Sequence, residues 1–471
     1  VAILKIGIVD KTFADRLLLG FMGGYEYKQT QNASTMDWVY GARYTTANTL
    51  MPQLTYEKRF KVLKGLHVSL NGNYNFGKSY SADTASCNYN WLGQSQPKGV
   101  PGELSYMKYR YRDHNGAANF RMALFPADGQ SVSLSSTLTT FSRSGKDETA
   151  YKPTYEHPSQ SMKIVTGLSY KYDYKGKWNT SAFVNHLEAY LDPEGGINYQ
   201  DFSNTTSYWG GGWASTYFWG RHTQLRLSYE YALRLPTSRE LFGSGDDIER
   251  GNSNLKPESS NNVNISVTAN AVDLTDHRLP IDAAFQYREI KDYIRRTTNN
   301  DSGRASSQND GRVRNLGTDL SIRYTFKDAF FVGGNFSYID MRSLTRYVTG
   351  TQQESKNYKE RVPAIPYMYG NGEAGLTLRN VFVKGTVLDI HYMMNYVQKF
   401  SYEWNVYQNA ELDIPTQFSH DLFVSYNFGK KSEFTVSAEC TNIFNARLYD
   451  NFKMQKPGRA FAIKFGYSFM K

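Results

Sequence analysis

The chain has 471 residues, 40% of them hydrophobic and 15% aromatic, with 37 Tyr, 27 Phe, 7 Trp and a mean hydropathy of −0.58. Helical membrane spans need about 20 apolar residues, and the richest apolar stretch, residues 17–24, is far shorter, which excludes a helical transmembrane architecture. The net charge of +10 is scattered among aromatics rather than gathered into the patch of a nucleic-acid binder, and two cysteines exclude both a disulfide-stapled small fold and a cysteine-rich zinc site.

From the first residues onward the organising signal is strict alternation of apolar and polar positions, the period of a strand with one apolar face. Residues 2–8, 19–27, 38–44, 54–60 and 66–76 read as the opening strands. Residues 106–112 also look strand-like, but parity assigns them to one long external loop over 77–116. The runs 132–140, 164–174 and 209–219 follow, and Gly210, Gly211 and Gly212 inside the last read as a bend or a close approach of backbone. Leu225, Leu227, Tyr229, Tyr231 and Leu233 then alternate with Arg226, Ser228 and Glu230. After 263–271 comes the set Leu316, Thr318, Leu320, Ile322, Tyr324 and Phe326, set against Asp319, Ser321 and Arg323. The series closes with 388–396, 422–428, 434–440 and a final strand in which Phe461, Ile463, Phe465, Tyr467 and Phe469 alternate with Ala462, Lys464, Gly466 and Ser468. No segment sustains a helical period and no linker divides the chain, so the expectation is one all-β architecture.

Many of these runs are about 9 to 13 residues long, whereas globular strands cluster near 5 or 6 and about 9 to 11 tilted residues cross a bilayer. The connections sort by length as in an outer-membrane barrel, short on one side and long on the other. Taken back from the C-terminus, 443–459, 399–417, 343–371, 295–311, 235–261, 191–206 and 142–161 are long. The intervening 429–432, 379–381, 327–329, 220–222, 175–176 and 126–130 are short, and 273–281 is of middling length. The reading is a large antiparallel transmembrane β-barrel of about 20 to 22 strands, with long extracellular loops, short periplasmic turns and the C-terminus at the periplasmic face.

Two stretches carry a family resemblance. Residues 231–242 read Tyr-Ala-Leu-Arg-Leu-Pro-Thr-Ser-Arg-Glu-Leu-Phe, and 251–258 read Gly-Asn-Ser-Asn-Leu-Lys-Pro-Glu. With Thr441-Asn-Ile-Phe-Asn445, Lys456-Pro-Gly-Arg-Ala-Phe461 and a last aromatic strand, their order and spacing resemble the barrel of a TonB-dependent outer-membrane receptor, of Bacteroidetes-like type. The resemblance covers most of residues 1–471 and carries the family motif onto Arg234, Pro236, Glu240, Leu241, Asn254, Leu255, Pro257 and Glu258. Physically, Pro236 and Pro257 fix φ and remove donors where strand gives way to loop, so the same residues also read as loop-shaping. The opening Val1-Ala2-Ile3-Leu4-Lys5 has no initiator Met, basic region or cleavage site. The expectation is a truncated chain lacking signal peptide, plug, coupling box and one or two opening strands.

What the resemblance implies is active import, in which external loops capture a scarce bulky nutrient and TonB-coupled energy moves it inward. A ferric chelate is the first expectation, with cobalamin, glycan or peptide as alternatives and a passive porin or structural barrel as the competing class. The implied partners are outer-membrane lipid and lipopolysaccharide, the chain's own plug, the TonB energy-transducing complex and a surface lipoprotein, with no nucleic acid and no cofactor. Asp246, Asp247 and Glu249 form an acidic run in the loop between the motifs, suited to Ca²⁺, to a cationic substrate, or simply to solvation. Tyr347 and Trp404, with Tyr89, Trp91 and Tyr407, are loop aromatics able to stack on a ligand. Arg226, Glu230, Asp319, Arg323 and Lys464 cannot face lipid cheaply and are expected to line the interior. The motif loop contains no histidine, which disfavours haem, leaving His114, His157 and His420 elsewhere. Cys87 and Cys440 allow a disulfide in an oxidising location, although two packed thiols are the favoured state. No serine-nucleophile elbow, zinc-protease pair or phosphate loop occurs, so no enzyme is expected.

Overall fold

The computed structural model describes residues 1–471 apart from 35, 62–64, 150–157, 194–203, 300–302, 328, 349–350, 405–412, 430–432 and 469–471. The alternating runs become strands in the order β1 (Ala2–Val9), β2 (Arg16–Gln29), β3 (Tyr44–Phe60), β4 (Leu66–Asp83), β5 (Cys87–Tyr89), β6 (Ser95–Pro97), β7 (Met107–Leu124) and β8 (Gln130–Asp147). There follow β9 (Ser159–Tyr174), β10 (Trp178–Asp192), β11 (Asn204–Trp219), β12 (Thr223–Arg234), the short helix α1 (Ser238–Phe242), β13 (Glu249–Arg250), β14 (Glu258–Asp273) and β15 (His277–Lys291). The chain ends with β16 (Ile294–Asn299), β17 (Arg304–Asn309), β18 (Val313–Phe326), β19 (Phe330–Ser343), β20 (Met368–Arg379), β21 (Val387–Val397), β22 (Gln417–Phe428), β23 (Phe434–Thr441) and β24 (Ala460–Tyr467). Nineteen of these strands belong to one antiparallel sheet; the others form a three-stranded sheet, β13, β17 and β16, and the β5–β6 pair. Among the described residues no helix is long and apolar enough to cross a membrane.

The chain divides into two compact units. The first comprises Val1–Ala214, Glu230–Asn261 and Ile290–Asp310. In it β1 to β4 and β7 to β10 pair in sequence order, each with the next. Strands β4 and β7 run in register from His67 opposite Ala123 to Asp83 opposite Met107. Each has 18 residues, a length of about 60 Å and well beyond what a bilayer needs. The second unit comprises Ser215–Tyr229, Asn262–Glu289 and Gly311–Lys471, and there β18 to β24 pair consecutively in the same way.

Alternation shows directly as exposure. On β18 and β19, Leu320, Ile322, Val332 and Phe336 are exposed on one face, and the final strand exposes Phe461, Ile463, Phe465 and Tyr467, with Ile463 at 80%. An apolar face left uncovered by protein is what lipid covers. The small fully buried core lies instead among the connections and strand ends, around Ala14, Tyr40, Tyr109, Tyr111, Leu241, Leu255 and Ile294 in the first unit and Phe400, Tyr402 and Ile414 in the second.

Four expectations are corrected. Residues 38–43 are not a strand but bends with one isolated Asn32–Val39 bridge, and Tyr44 opens β3. Both ends of the supposed loop over 77–116 are strand, because β4 and β7 keep exchanging hydrogen bonds past the membrane-spanning length and only 84–106 connects them. Of residues 106–112, 107–112 therefore belong to β7 and add no extra crossing, which preserves the parity there. The connection at 273–281 shrinks to the tight turn 274–276, where Leu274 and His277 exchange backbone hydrogen bonds. Gly211 bears out the expected close approach, since an added Cβ would lie 2.8 Å from the Phe183 carbonyl oxygen.

Candidate functional site

The loop that follows β12 in the first unit is built around one guanidinium. Arg234 donates from Nη1 and Nη2 to the two oxygens of Glu240, each at 3.0 Å, and from Nε to Glu258 at 3.0 Å. Glu258 is buried and uses its other oxygen to accept from the Ile294 backbone N–H at 2.5 Å. Glu240 is also the third residue of a capping box: its carboxylate accepts from the Thr237 N–H at 2.7 Å, and Thr237 Oγ1 accepts from the Glu240 N–H at 3.2 Å. This satisfies the orphan donors at the start of α1. Burial works to raise the Glu240 carboxyl, but the Arg234 hydrogen bond and the Thr237 amide more than offset it, and its pKa lies below the usual range.

The remaining motif residues complete the same fold-back. Leu241 and Leu255 pack with Ile294 in one buried cluster. Pro236 presents its carbonyl to Lys163 Nζ, the Asn254 N–H donates to Asn252 Oδ1 at 3.1 Å, and Pro257 stands just before β14. The Asn252 N–H donates to the Glu240 carbonyl at 2.8 Å, closing the loop on α1.

The acidic run lies against arginines. Asp247 accepts from Arg304 Nε at 2.9 Å, from Ser105 Oγ at 2.9 Å and from Arg250 at 3.3 Å. Burial pushes the Asp247 carboxyl up, and the Arg304 hydrogen bond and charge bring it below its ordinary value. Glu249 is buried, accepts from Arg239 Nε at 2.6 Å and has Arg296 at 4.0 Å. Asp246 accepts from Ser244 Oγ and from the Ile248 N–H at 3.2 Å. These carboxylates are held by the β16–β17 hairpin and by their own loop, and among the described residues no group of three or more His, Cys, Asp or Glu is arranged to hold a metal ion.

Two other connections join this assembly. Buried Asp83, at the end of β4, accepts from the N–H groups of Glu103, Leu104 and Ser105 at 2.5, 2.9 and 3.0 Å, and pairs with Arg43 at 3.8 Å. Glu103 in turn accepts from the Gly41 and Ala42 N–H groups at 2.6 and 3.0 Å; burial dominates over these amides and pushes its carboxyl up. The Arg43 guanidinium lies 5.2 Å from the Tyr40 ring, whose phenol burial pushes up to about 12. Thus 30–43, 84–106, 235–257 and the β16–β17 hairpin form one interlocked surface. Beneath it, a cavity of about 340 Å³ is lined by Thr137, Lys163, Asn185, Glu230 and Arg234.

In the second unit the remaining predicted charges lie on the polar face of their strands. Arg226 donates to Gln224 at 3.1 Å, Asp319 accepts from Ser337 at 2.5 Å, and Lys464 pairs with Glu439 at 2.8 Å. Arg323 pairs with Glu373 and lies 3.9 Å over the Phe331 ring. Tyr347 is half exposed, at 50%, beside Arg346. Trp404 is partly buried at the edge of 405–412, and Tyr407 and His157 lie outside the described residues. Trp91 donates to the Met36 carbonyl at 3.1 Å and Tyr89 packs on Gly41. His114 packs on Tyr74 and Phe76, and His420 accepts or donates at Tyr392. Both cysteines are free.

Sequence reasoning missed Lys163, Arg239, Arg304, Ser105 and Asp83, because nothing local in the sequence marks a long-range partner. It also missed α1, although Thr237 followed three residues later by Glu240 is the capping-box signature.

An all-antiparallel sheet with an uncovered apolar face, a polar opposite face and one interlocked set of long connections defines an outer-membrane β-barrel protein. The model of the TonB-dependent receptor-like β-barrel matches residues 9–443, and the chain belongs to that family. Among solved structures it is similar to the FrpB iron transporter from Neisseria meningitidis, with 15% identity and a TM-score of 0.72 over 99% of this chain and 71% of that one. It is also similar to the copper transporter OprC, at 12% identity and TM-score 0.74 over 99% and 71%. A third is BauA, the ferric preacinetobactin receptor from Acinetobacter baumannii, at 12% identity and TM-score 0.67 over 99% and 72%. A comparison with curated proteins finds no match.

Proposed function

We propose that this chain is the capture surface and conduit of an energy-coupled importer, with the long connections extracellular and the C-terminus periplasmic. The observation that carries the reading is the two-faced sheet. Apolar side chains are left exposed on one face, while on the other Asp319, Arg323 and Lys464 are held in hydrogen bonds and ion pairs that suit a hydrated passage. The cargo is a bulky scarce nutrient, a ferric chelate first, in keeping with the iron, copper and ferric preacinetobactin transport named for the similar structures. Import draws on TonB-coupled energy through a plug domain, and these are the partners the family implies.

In this reading the motif residues Arg234, Glu240 and Glu258 hold the loop in shape, and Asp246, Asp247 and Glu249 belong to the same framework. Capture then falls to side chains with free surface, Tyr347 among them, and to the cavity lined by Lys163 and Glu230. The test is uptake of ⁵⁵Fe-chelates by cells expressing the full receptor, with and without a functional TonB complex. Accumulation that needs the complex supports the proposal; equal uptake without it indicates a passive porin.

A further inference from the structure

The cavity beneath the 235–257 loop holds a lysine with which no carboxylate pairs. Lys163 and Val165 lie on one face of β9, and the register sets Thr139 of β8 opposite Lys163 and Leu187 of β10 opposite Val165. All four, with Asn185, line the cavity of about 340 Å³. Lys163 is half-buried and donates from Nζ to the Pro236 carbonyl, and among the described residues it forms no ion pair. The neighbouring carboxylates are engaged elsewhere. Glu240 gives both oxygens to Arg234, and Glu258 takes the remaining Arg234 donor. Glu230 of β12 lines the same cavity without pairing with Lys163.

An ammonium drawn out of water without an ion pair bears its desolvation cost and recovers little of it. Burial accordingly lowers the Lys163 pKa to about 8, with the Glu240 charge working to raise it and the Arg234 charge to lower it. Lys163 stands just above the 164–174 run that the alternation assigns to the bilayer, and the strands beside it face it with neutral Thr139 and Ala189. Among the described residues the Asn185 carboxamide and the Thr139 hydroxyl have no hydrogen-bond partner. Gly167 keeps the place of Asn185 open, since an added Cβ would lie 2.5 Å from Asn185 Oδ1. Three adjacent strands thus present an ammonium, an amide N–H and a hydroxyl to one acceptor-rich group, beside the apolar Val165 and Leu187.

We propose that this cavity binds a single carboxylate group of the cargo, with Lys163 as the charge partner and Asn185 and Thr139 as hydrogen-bond donors. Hydrogen bonds between ionised partners are the strong ones, and a carboxylate supplies the counter-charge that Lys163 lacks. Glu230 in the same cavity repels a second carboxylate or a phosphate dianion, so one carboxylate fits. The proposal rests on the cavity being part of the capture surface, and it narrows the cargo to a carboxylate-bearing chelate.

The test follows Lys163 itself in the purified full receptor in non-ionic detergent. Acetylation by N-hydroxysuccinimidyl acetate is read by peptide mass spectrometry, with Lys175 in its exposed turn as the internal reference. Lactate should slow acetylation of Lys163 about fivefold or more at saturation and leave Lys175 unchanged. Lactamide, of the same shape without the charge, should slow neither. The affinity for lactate should be level from pH 6 to pH 7 and fall about tenfold per unit above about pH 8, because only the ammonium form pairs with the carboxylate. Asn185→Leu and Thr139→Val should each weaken the protection about threefold to tenfold. Heat-dependent gel migration checks that each variant is folded, and the comparison of lactate with lactamide on the unmodified protein stands if a variant is not. No protection by lactate, or equal protection by lactamide, by inorganic phosphate or by chloride at matched ionic strength, overturns the site. Chelate uptake that needs the TonB complex would persist in that case, which separates this failure from failure of the importer reading.

Discussion

Arg234 and Glu240 meet as a parallel fork, Nη1 to Oε2 and Nη2 to Oε1, both at 3.0 Å, with Arg234 Nε left over for Glu258. One side chain thereby ties the end of β12 to α1 and to the start of β14. Lysine has the charge but not the fork. Arg234→Lys should therefore loosen the loop by about 1–2 kcal/mol, after discounting for the partial exposure of Arg234. Limited proteolysis should cut 237–257 faster in the variant while heat-dependent gel migration of the barrel stays normal. An unchanged cleavage rate would show that the fork is dispensable.

Asp83 should matter to a loop on which it has no sequence claim. Its carboxylate takes three consecutive backbone N–H groups from Glu103 to Ser105. Asp83→Ala leaves the buried Glu103 donor and the part-buried Leu104 and Ser105 donors without this acceptor, at about 1–3 kcal/mol for the group. Hydrogen exchange should then rise across 100–106 and stay level in the middle of β4.

The capping loop should weaken in acid. The folded-state pKa values of Asp247 and Glu240 are depressed, so their contribution is fully present above the unfolded carboxylate values, about 4, and is lost as pH falls through the folded ones. Proteolysis of 237–257 by an acid-active protease should be flat from pH 7 to pH 5 and rise below about pH 4. A rise already between pH 7 and pH 5 would contradict these assignments.

Gly375 makes room for a ring. A Cβ there would lie 2.1 Å from Phe331 Cε1, and Phe331 is the ring over which Arg323 sits at 3.9 Å. Gly375→Val should displace Phe331, unseat Arg323 from Glu373 and lower the unfolding temperature, whereas Gly176→Ala, in an open turn, should cost little beyond its positive φ.

On the lipid face the rule is harsher. Ile463→Arg places a charge on an uncovered apolar position of the last paired strand, which costs about 2–4 kcal/mol if the site is near the bilayer midplane. Assembly, read from the heat-resistant band on gels, should fall. Lys464→Gln, one residue along on the polar face, should leave it nearly unchanged.

Apart from the false strand at 38–44 and the short strands within the long connections, the strands of the main sheet, their order and their lipid face were legible in the sequence. A period of two is a local property, and one face of each strand must be apolar whatever its neighbours are. Loop-length parity was legible from β3 to the C-terminus, where the error over 77–116 concerned only where strands ended; the false strand at 38–44, by contrast, inverts the parity of β1 and β2. What only the tertiary structure decided was where each charge finds its partner. Asp247 meets Arg304 across 57 positions, Glu103 reaches Gly41 across 62, and Ser105 reaches Asp247 across 142. No local pattern encodes such contacts, since they form only when several long connections fold back together, and that convergence turned an acidic run that reads as a solvated loop or an open binding surface into the internal framework of a packed loop.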